Sequence, residues 1–295
     1  MNIQWYPGHM TKAKRAMKED MKLIDLVIEL VDARVPLSSR NPDIDDLAAG
    51  KARMVLLNKS DLADERLNSQ WAAWFEAKGI RVVKIDARNK GTLKQVQSVV
   101  QDACKDKIER DRRRGILNRP IRTMVVGIPN VGKSTFINSF AGRACAKTGT
   151  KPGVTKGNQW IRLNKTLELL DTPGIRWPRF EDQKVGLKLA LIGSINDQIL
   201  NKDELACRLV HFLETNYPQV LPERFGIASG EMDTARVLEE IARSRSCLLK
   251  GGELDVSRAA ALLLDDFRAG KLGRITLERP ESRTQETKDR EDEVK

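Results

Sequence analysis

Glycine, lysine and serine recur at a fixed spacing in residues 127–134, which read GIPNVGKS. The spacing fits G-x-x-x-x-G-K-[ST], the pattern of a phosphate-binding loop. The apolar, β-branched run Ile121–Val126 precedes it and predicts a buried strand, and residues 135–141 can start a helix. Loop amides and the helix N-terminus then converge on phosphate oxygens. In such a loop Lys133 reaches the β and γ phosphates and the Ser134 hydroxyl binds Mg²⁺.

A second segment has side chains suited to reading a purine base. Residues 54–61 read MVLLNKSD, a short apolar strand that ends in N-K-x-D. A carboxylate such as Asp61 can accept from N1–H and the exocyclic N2 of guanine, whereas adenine has no such pair of donors. The Lys59 stem can lie along the base, and Asn58 can tie this loop to the phosphate loop. Alone, the motif fits an ordinary turn at a strand end better; together with a phosphate loop it indicates guanine recognition.

The order of these segments is unusual. In ordinary GTPases the phosphate loop comes first and the guanine-reading segment comes late, whereas here residues 58–61 precede residues 127–134. Residues 82–88 read VVKIDAR and look like the second base-contacting loop. In that loop Asp86 lies beside Ala87, which offers its backbone amide to the base.

Two further segments follow the phosphate loop. Residues 152–155 read PGVT, and Thr155 resembles the first-switch threonine that joins Mg²⁺ and the γ-phosphate. Residues 171–174 read DTPG and resemble the second-switch motif, with Asp171 near the metal and the Gly174 amide on the γ-phosphate. All five segments are therefore present in permuted order, and the chain resembles the circularly permuted GTPases. This resemblance implies an α/β fold, a P-loop GTPase domain with a mostly parallel sheet, and hydrolysis of GTP to GDP and phosphate.

The N-terminal sequence narrows the resemblance. Residues 5–10 read WYPGHM and closely resemble the ribosome biogenesis GTPase A branch of the permuted family, which assists late assembly of the large ribosomal subunit. This implies that the partner is the precursor of that subunit, with its rRNA and ribosomal proteins, and that the particle stimulates hydrolysis. The alternative is a GTP-dependent protein-binding or signalling switch without RNA. Residues 58–61 disfavour a P-loop kinase or ATPase.

His9 has two interpretations. A lone histidine in a turn is commonly structural, but Pro7 and Gly8 place His9 on a turn ahead of a helix, where its side chain can be presented. Ile175 follows Gly174 where Ras-like enzymes carry the glutamine that positions the attacking water. The family resemblance assigns that role to the histidine matching His9, and we adopt this as a hypothesis. The expected catalytic set is His9, Thr155 and Gly174.

Asn130 lies inside the phosphate loop and also has two interpretations. In related K⁺-dependent GTPases an asparagine at this position helps to bind K⁺ near the phosphates, where the ion stabilises developing charge. Otherwise Asn130 only shapes the loop, and the sequence leaves both possibilities open. Mg²⁺ is expected at Ser134, Thr155 and Asp171. The residues expected to contact the nucleotide are Asn58, Lys59, Asp61, Asp86, Ala87, Asn130, Val131, Gly132, Lys133, Ser134, Thr135, Thr155 and Gly174.

Positive charge is concentrated in the first part of the chain. The net charge is +11, and residues 1–180 hold 34 Lys and Arg against 19 Asp and Glu. This excess favours a polyanionic partner larger than GTP, although a basic protein without such a partner fits as well. Residues 105–122 carry eight basic and three acidic side chains. A solvated linker and an RNA-contacting segment account for them equally well.

The patterning divides the chain into four parts. Residues 1–22 are a basic segment with an amphipathic helix, and 23–180 form the permuted GTPase domain. Residues 181–280 form an all-helical domain, which the family resemblance implies binds RNA or the ribosome, and residues 281–295 form a disordered tail. Helices are predicted over 184–200, 203–217, 231–249 and 257–269, with Pro218 and Pro222 between the second and third. The absence of a membrane-length apolar run, the scattered cysteines and the N-terminus without a targeting pattern predict a cytoplasmic protein that does not bind membranes. We expect a monomer.

Overall fold

A six-stranded sheet forms the centre of the computed structural model, which describes residues 17–117, 119–142, 144, 159–171, 182–195, 201–227 and 233–280, with only the main chain of Gln159 and Asp171. The strand order is β3-β2-β1-β4-β6-β5, and all neighbours are parallel except the antiparallel pair β5–β6. The predicted α/β fold with a mostly parallel sheet is confirmed. The strands are β1 (Leu26–Asp32), β2 (Ala52–Asn58), β3 (Arg81–Lys84), β4 (Ile121–Val126), β5 (Gln159–Arg162) and β6 (Leu167–Asp171).

Ten helices lie wholly within the described part of the chain. They are α1 (Ile44–Leu47), α2 (Glu65–Glu76), α3 (Lys90–Ala103), α4 (Lys105–Arg113), α5 (Lys133–Ala141), α6 (Gln183–Leu191), α7 (Lys202–Asn216), α8 (Val220–Phe225), α9 (Thr234–Ser244) and α10 (Val256–Arg268). None of the described helices has both the length and the apolar composition needed to span a bilayer.

Both faces of β1 are covered, and all seven of its residues are buried. Leu26, Ile28 and Leu30 belong to the cluster that includes α3 and α5, whereas Val31 packs with Trp71 and Phe75 of α2. This division follows the two-residue period of a strand, in which successive side chains point to opposite faces. Burial on both faces explains why β1 reads as an almost continuous apolar run.

The N-terminal part of the chain that the structure describes is helical over residues 17–21. Met17 and Met21 are buried against Val27 and Ile44, as the apolar spacing of the predicted amphipathic helix requires. The rest of that helix and the tail 281–295 lie outside the described residues. The four-part division of the chain therefore stays a prediction.

Two of the helices after the sheet are shorter than their sequence patterns suggest, whereas α7 and α10 have the predicted lengths and begin one residue earlier. α6 ends at Leu191 rather than at residue 200, and Gly193 follows with φ of 74°. α9 ends at Ser244, and Ser246 has φ of 51°, a left-handed conformation that ends a helix. α8 was not predicted. Pro222 lies in its first turn, where the missing N–H costs no helical hydrogen bond.

After α10 the chain returns to the sheet. Residues 275–278, hereafter the return segment, run beside the loops that follow β1 and β2. The Ile275 amide donates to the Leu62 carbonyl at 3.0 Å, and the Leu277 amide donates to the Arg34 carbonyl at 2.8 Å. Trp71 Nε1 donates to the Glu278 carbonyl at 3.2 Å. The helical region, residues 181–280, is therefore hydrogen bonded to the loops at the carboxyl ends of the strands.

Candidate nucleotide-binding site

Asn58 joins the three loops that the sequence assigned to one nucleotide. Its Nδ2 donates to the Val131 carbonyl in the phosphate loop at 2.7 Å. Its Oδ1 accepts from the Ala87 amide in the second base loop at 2.9 Å. Asn58 is buried and ends β2, so the sheet fixes its position. Segments about 70 residues apart in sequence therefore meet at the carboxyl edge of the sheet, where ligands bind in open α/β folds.

The phosphate loop has the conformation its glycines require. Gly132 has φ of 102°, and a Cβ at this position would lie 2.5 Å from Asn58 Nδ2. α5 begins directly after it, at Lys133, two residues earlier than predicted. Val131 is buried, while Ser134 and Thr135 are half-buried in the first turn of α5. The free amides of this turn therefore face the region where phosphates are expected.

Lys133 folds back over the phosphate loop. Its Nζ donates to the carbonyls of Gly127 at 2.6 Å and Ile128 at 2.9 Å. Burial lowers the pKa of Lys133 to about 8. A phosphate beside this ammonium group would favour its charged form and raise the pKa again.

The predicted base pocket contains an acceptor without a partner. Asp61 Oδ1 is buried and accepts no hydrogen bond from the described residues. Asp61 Oδ2 accepts from Arg88 Nη2 at 2.8 Å, and Arg88 Nε also donates to Asp86 Oδ1 at 2.9 Å. The hydrogen bond from Arg88 lowers the pKa of Asp86. A buried acceptor without a partner is costly, so the Asp61 carboxylate is suited to receive a donor such as guanine N1–H.

Two of the three predicted Mg²⁺ ligands, Ser134 and Asp171, lie in described elements. Met124 of β4 pairs with Leu170 of β6, which places the Asp171 backbone at the end of β6, close to where β4 enters the phosphate loop. Ser134 lies in the first turn of α5. A carboxylate and a hydroxyl at these two positions fit the oxygen ligands that Mg²⁺ takes alongside substrate phosphates. Thr155, Gly174 and His9 lie outside the described residues.

Asn130 contacts the helical region. It has φ of 59°, which is uncommon for a residue other than glycine, and its Nδ2 donates to the Gly193 carbonyl at 3.1 Å. The phosphate loop is therefore hydrogen bonded directly to the turn after α6.

Sequence reasoning missed three residues at this site. Arg88 lies within the second base loop 82–88, and Asp32 and Arg34 lie at and just beyond the end of β1, but no role was predicted for any of the three. In the structure Asp32 Oδ2 lies 3.0 Å from Lys59 Nζ. A signal was present, because Asp32 ends β1 between β2 and β4, and the ends of adjacent parallel strands converge on the ligand.

Comparison with known proteins places the chain among GTPases. A family model described as "50S ribosome-binding GTPase" matches residues 122–225. The chain is 48% identical over 289 residues to Ribosome biogenesis GTPase A of Bacillus cereus, covering 98% of each chain. It is 45% identical over 282 residues to Ribosome biogenesis GTPase A of Bacillus pumilus, covering 96% of this chain and 100% of the relative. The solved structure of GNP-bound YlqF from T. maritima aligns with a TM-score of 0.63 at 30% identity, covering 92% of this chain and 99% of that chain.

The fold and the joined loops define a P-loop GTPase in which the base-reading strand precedes the phosphate loop, that is, a circularly permuted GTPase. Such an enzyme hydrolyses GTP to GDP and phosphate. Given its similarity to the Bacillus proteins over nearly the whole chain, the protein belongs to the ribosome biogenesis GTPase A family.

The lowered pKa of Lys133 leads us to expect that nucleotide binding depends on pH. In the free protein its pKa is about 8, and bound phosphate raises it, so binding takes up a proton between the two values. GDP affinity should therefore fall as pH rises above about 8. Titration calorimetry at pH 8.5 in buffers of different ionisation enthalpy measures this uptake. Lys133→Arg, whose charge does not titrate in this range, should bind GDP without taking up that proton. Equal proton uptake by both proteins would contradict the assignment.

Proposed function

We propose that this GTPase is an assembly factor for late maturation of the large ribosomal subunit, working in the cytoplasm as a monomer. GTP orders the two switches and favours binding to the precursor particle. Correct placement of rRNA and ribosomal proteins then stimulates hydrolysis and release. The observation that carries the proposal is the similarity over nearly the whole chain to proteins named Ribosome biogenesis GTPase A. The helical region 181–280 is assigned to the particle-binding side of the molecule.

A basic surface away from the nucleotide site supports an RNA partner. α4 has no buried residue. Beside it, a recess of about 890 Å³ is lined by six cations, against four carboxylates, so its net charge is positive. The cations are Lys51, Lys107, Arg110, Arg113, Arg114 and Arg119, and the carboxylates are Asp25, Asp106, Glu109 and Asp111. The recess also contains Ile24 and Ala52, so it lies at the edge of the sheet where β1 and β2 begin. The four arginines are exposed. Exposed guanidinium groups can donate paired hydrogen bonds to the phosphates of an RNA backbone.

Co-sedimentation with large-subunit precursors in a non-hydrolysable GTP analogue tests the partner. The wild type should pellet with the particles, and binding should weaken steeply with salt. The triple variant Arg110→Ala, Arg113→Ala, Arg114→Ala should bind more weakly, with a salt slope smaller by about three phosphate contacts. The control Arg66→Ala, Lys78→Ala, Lys94→Ala removes the same charge elsewhere on the surface. Failure of the wild type to pellet at any salt concentration would favour a protein-binding switch without RNA.

Catalysis is assigned to His9, with Thr155 and the Gly174 amide at the γ-phosphate. The sequence supports this role for His9, because Ile175 stands where a glutamine orients water in Ras-like enzymes. His9→Ala should reduce particle-stimulated turnover by about 100-fold, the lower end of the range for loss of one general acid–base group. GTP affinity should stay unchanged. A wild-type rate for His9→Ala on the particle would refute the assignment.

The ions are assigned in the same way. Ser134, Thr155 and Asp171 would hold Mg²⁺, which neutralises charge on the β and γ phosphates. Asn130 is proposed to help bind K⁺ in the nucleotide complex, which requires its side chain to leave or share the contact with Gly193. Turnover should then be faster in K⁺ than in Na⁺, and equal rates would leave Asn130 as a contact to the helical region.

A further inference from the structure

Two buried charged side chains beside the nucleotide loops have no role in the chemistry described so far. Asp32 and Arg34 are almost inaccessible, at 0% and 1% exposure. Arg34 Nε donates to Asp32 Oδ1 at 2.9 Å, and Arg34 Nη2 donates to Asp32 Oδ2 at 2.8 Å. Lys59 Nζ lies 3.0 Å from Asp32 Oδ2 on the other side. One buried carboxylate is therefore held between two cations.

This carboxylate is charged when the enzyme works. Burial acts to raise the pKa of Asp32, but Arg34 and Lys59 outweigh it and hold the pKa well below its usual range. Removal of either cation would leave a buried charge with half of its compensation, an expensive arrangement in a protein interior. The three groups therefore depend on one another for their positions.

Of these three charged residues, Lys59 is the one that contacts the phosphate loop. Its Nζ also donates to the Asn130 carbonyl in the phosphate loop at 3.1 Å. Its backbone has φ of 57°, a left-handed conformation that is unfavourable for a lysine and needs support from its surroundings. Asp32 supplies that support, because the ion pair fixes the end of an otherwise flexible side chain across the site.

Arg34 extends the network to the helical region. Its guanidinium lies 5.6 Å from the centroid of the Phe267 ring, and its Nη1 donates to the Arg268 carbonyl at 3.4 Å. Arg268 in turn donates to the carbonyls at the end of α6, from Nε to Leu191 at 3.0 Å and from Nη2 to Ala190 at 2.8 Å.

The turn after α6 closes the network, because the Gly193 carbonyl accepts from Asn130 Nδ2. Asn130 is also the residue whose carbonyl holds Lys59. The connections therefore leave the phosphate loop, pass through the helical region and come back to the phosphate loop.

We propose that Asp32 is a positioning residue for guanine-nucleotide binding, which holds Lys59 across the phosphate loop, and that Arg34 ties this arrangement to the end of α10. The proposal concerns binding of the nucleotide and does not depend on the ribosomal partner. The alternation of side chains along β1 does not explain a buried ion pair between its last residue, Asp32, and Arg34. Neither residue touches the reacting atoms.

The test separates KM from kcat. Asp32→Asn keeps the shape of the side chain and removes its charge, so KM for GTP should rise about tenfold, the effect of losing one charge-assisted hydrogen bond. The intrinsic kcat should change less than twofold. Lys59→Met should raise KM at least as much, because it also removes the contact with the Asn130 carbonyl. The KM of the double variant should be no higher than that of Lys59→Met alone, because the contact with Asp32 is already lost in that variant.

The matched control is Glu29→Gln in the same strand. Glu29 is 2% exposed and pairs with the buried Arg40 at 3.0 Å, away from the nucleotide loops. It should lower thermal stability as Asp32→Asn does and leave KM unchanged. Arg34→Lys keeps the charge but loses the two-point contact with Asp32, so it should raise KM about threefold. This variant tests the proposal if Asp32→Asn does not fold. A wild-type KM in a folded Asp32→Asn or Arg34→Lys, or additive effects in the double variant, would overturn the proposal.

Discussion

Asp61→Asn is expected to weaken GDP binding by roughly 100-fold or more and to make xanthosine diphosphate the better ligand. The carboxylate can accept from both N1–H and N2 of guanine, and each charge-assisted hydrogen bond is worth about 1.5–3 kcal/mol. An asparagine presents one acceptor and one donor, so its amide faces the guanine amino group with a donor. Xanthine has a carbonyl in place of that amino group and restores the pairing. Competition between fluorescent GDP and unlabelled xanthosine diphosphate measures the change directly.

Asp64→Asn is the matched control for this substitution. Asp64 lies three residues further along the same loop and caps α2, where its Oδ1 accepts from the amides of Arg66 and Leu67. Asparagine is an equally good residue at the start of a helix, so the cap is retained. Nucleotide preference should stay that of the wild type. If Asp61→Asn bound GDP normally, the unpartnered Asp61 oxygen would not be the base-reading atom.

The sequence predicts those parts of the site that depend on residues close together in the chain. A phosphate loop needs glycine at Gly132 because no other residue fits φ of 102° against Asn58. The strand before it is predicted by its apolar residues, and β4 has the expected bounds of Ile121 and Val126. The motifs also predict that residues 58–61 contact the phosphate loop, because an N-K-x-D segment recognises guanine only when it lies beside such a loop.

The parts that the sequence does not predict depend on residues far apart in the chain. Arg34 and Arg268 are separated by 234 positions, and neither strand nor helix periodicity indicates that they meet. Arg88 was missed for the same reason, because it donates to Asp61, a residue 27 positions away in the chain. Helix ends were also missed, because α6 ends where Gly193 meets Asn130 and Arg268, which is a tertiary contact.

Glu278 connects the end of the described chain to the loop after β1. Its carboxylate is 3% exposed and accepts from the Leu37 amide at 2.8 Å, the Ser38 amide at 3.2 Å and the Ser38 hydroxyl. Lys188 Nζ, from α6, donates to it at 3.1 Å. This carboxylate therefore joins the return segment, the loop after β1 and the helix that follows the predicted second switch.

Glu278→Ala is expected to lower the free energy of unfolding by about 3 kcal/mol, because it leaves buried amide donors and a lysine without their acceptor. Urea denaturation followed by tryptophan fluorescence measures the change, since Trp71 donates to the Glu278 carbonyl. Glu278→Gln keeps one acceptor oxygen but loses the charge facing Lys188, so it should cost about half as much. Lys188→Met in the Glu278→Gln background should cost little more, because the ion pair is already lost. Equal stability of Glu278→Ala and the wild type would mean that Leu277 and Ile275 hold the return segment through their backbone hydrogen bonds alone.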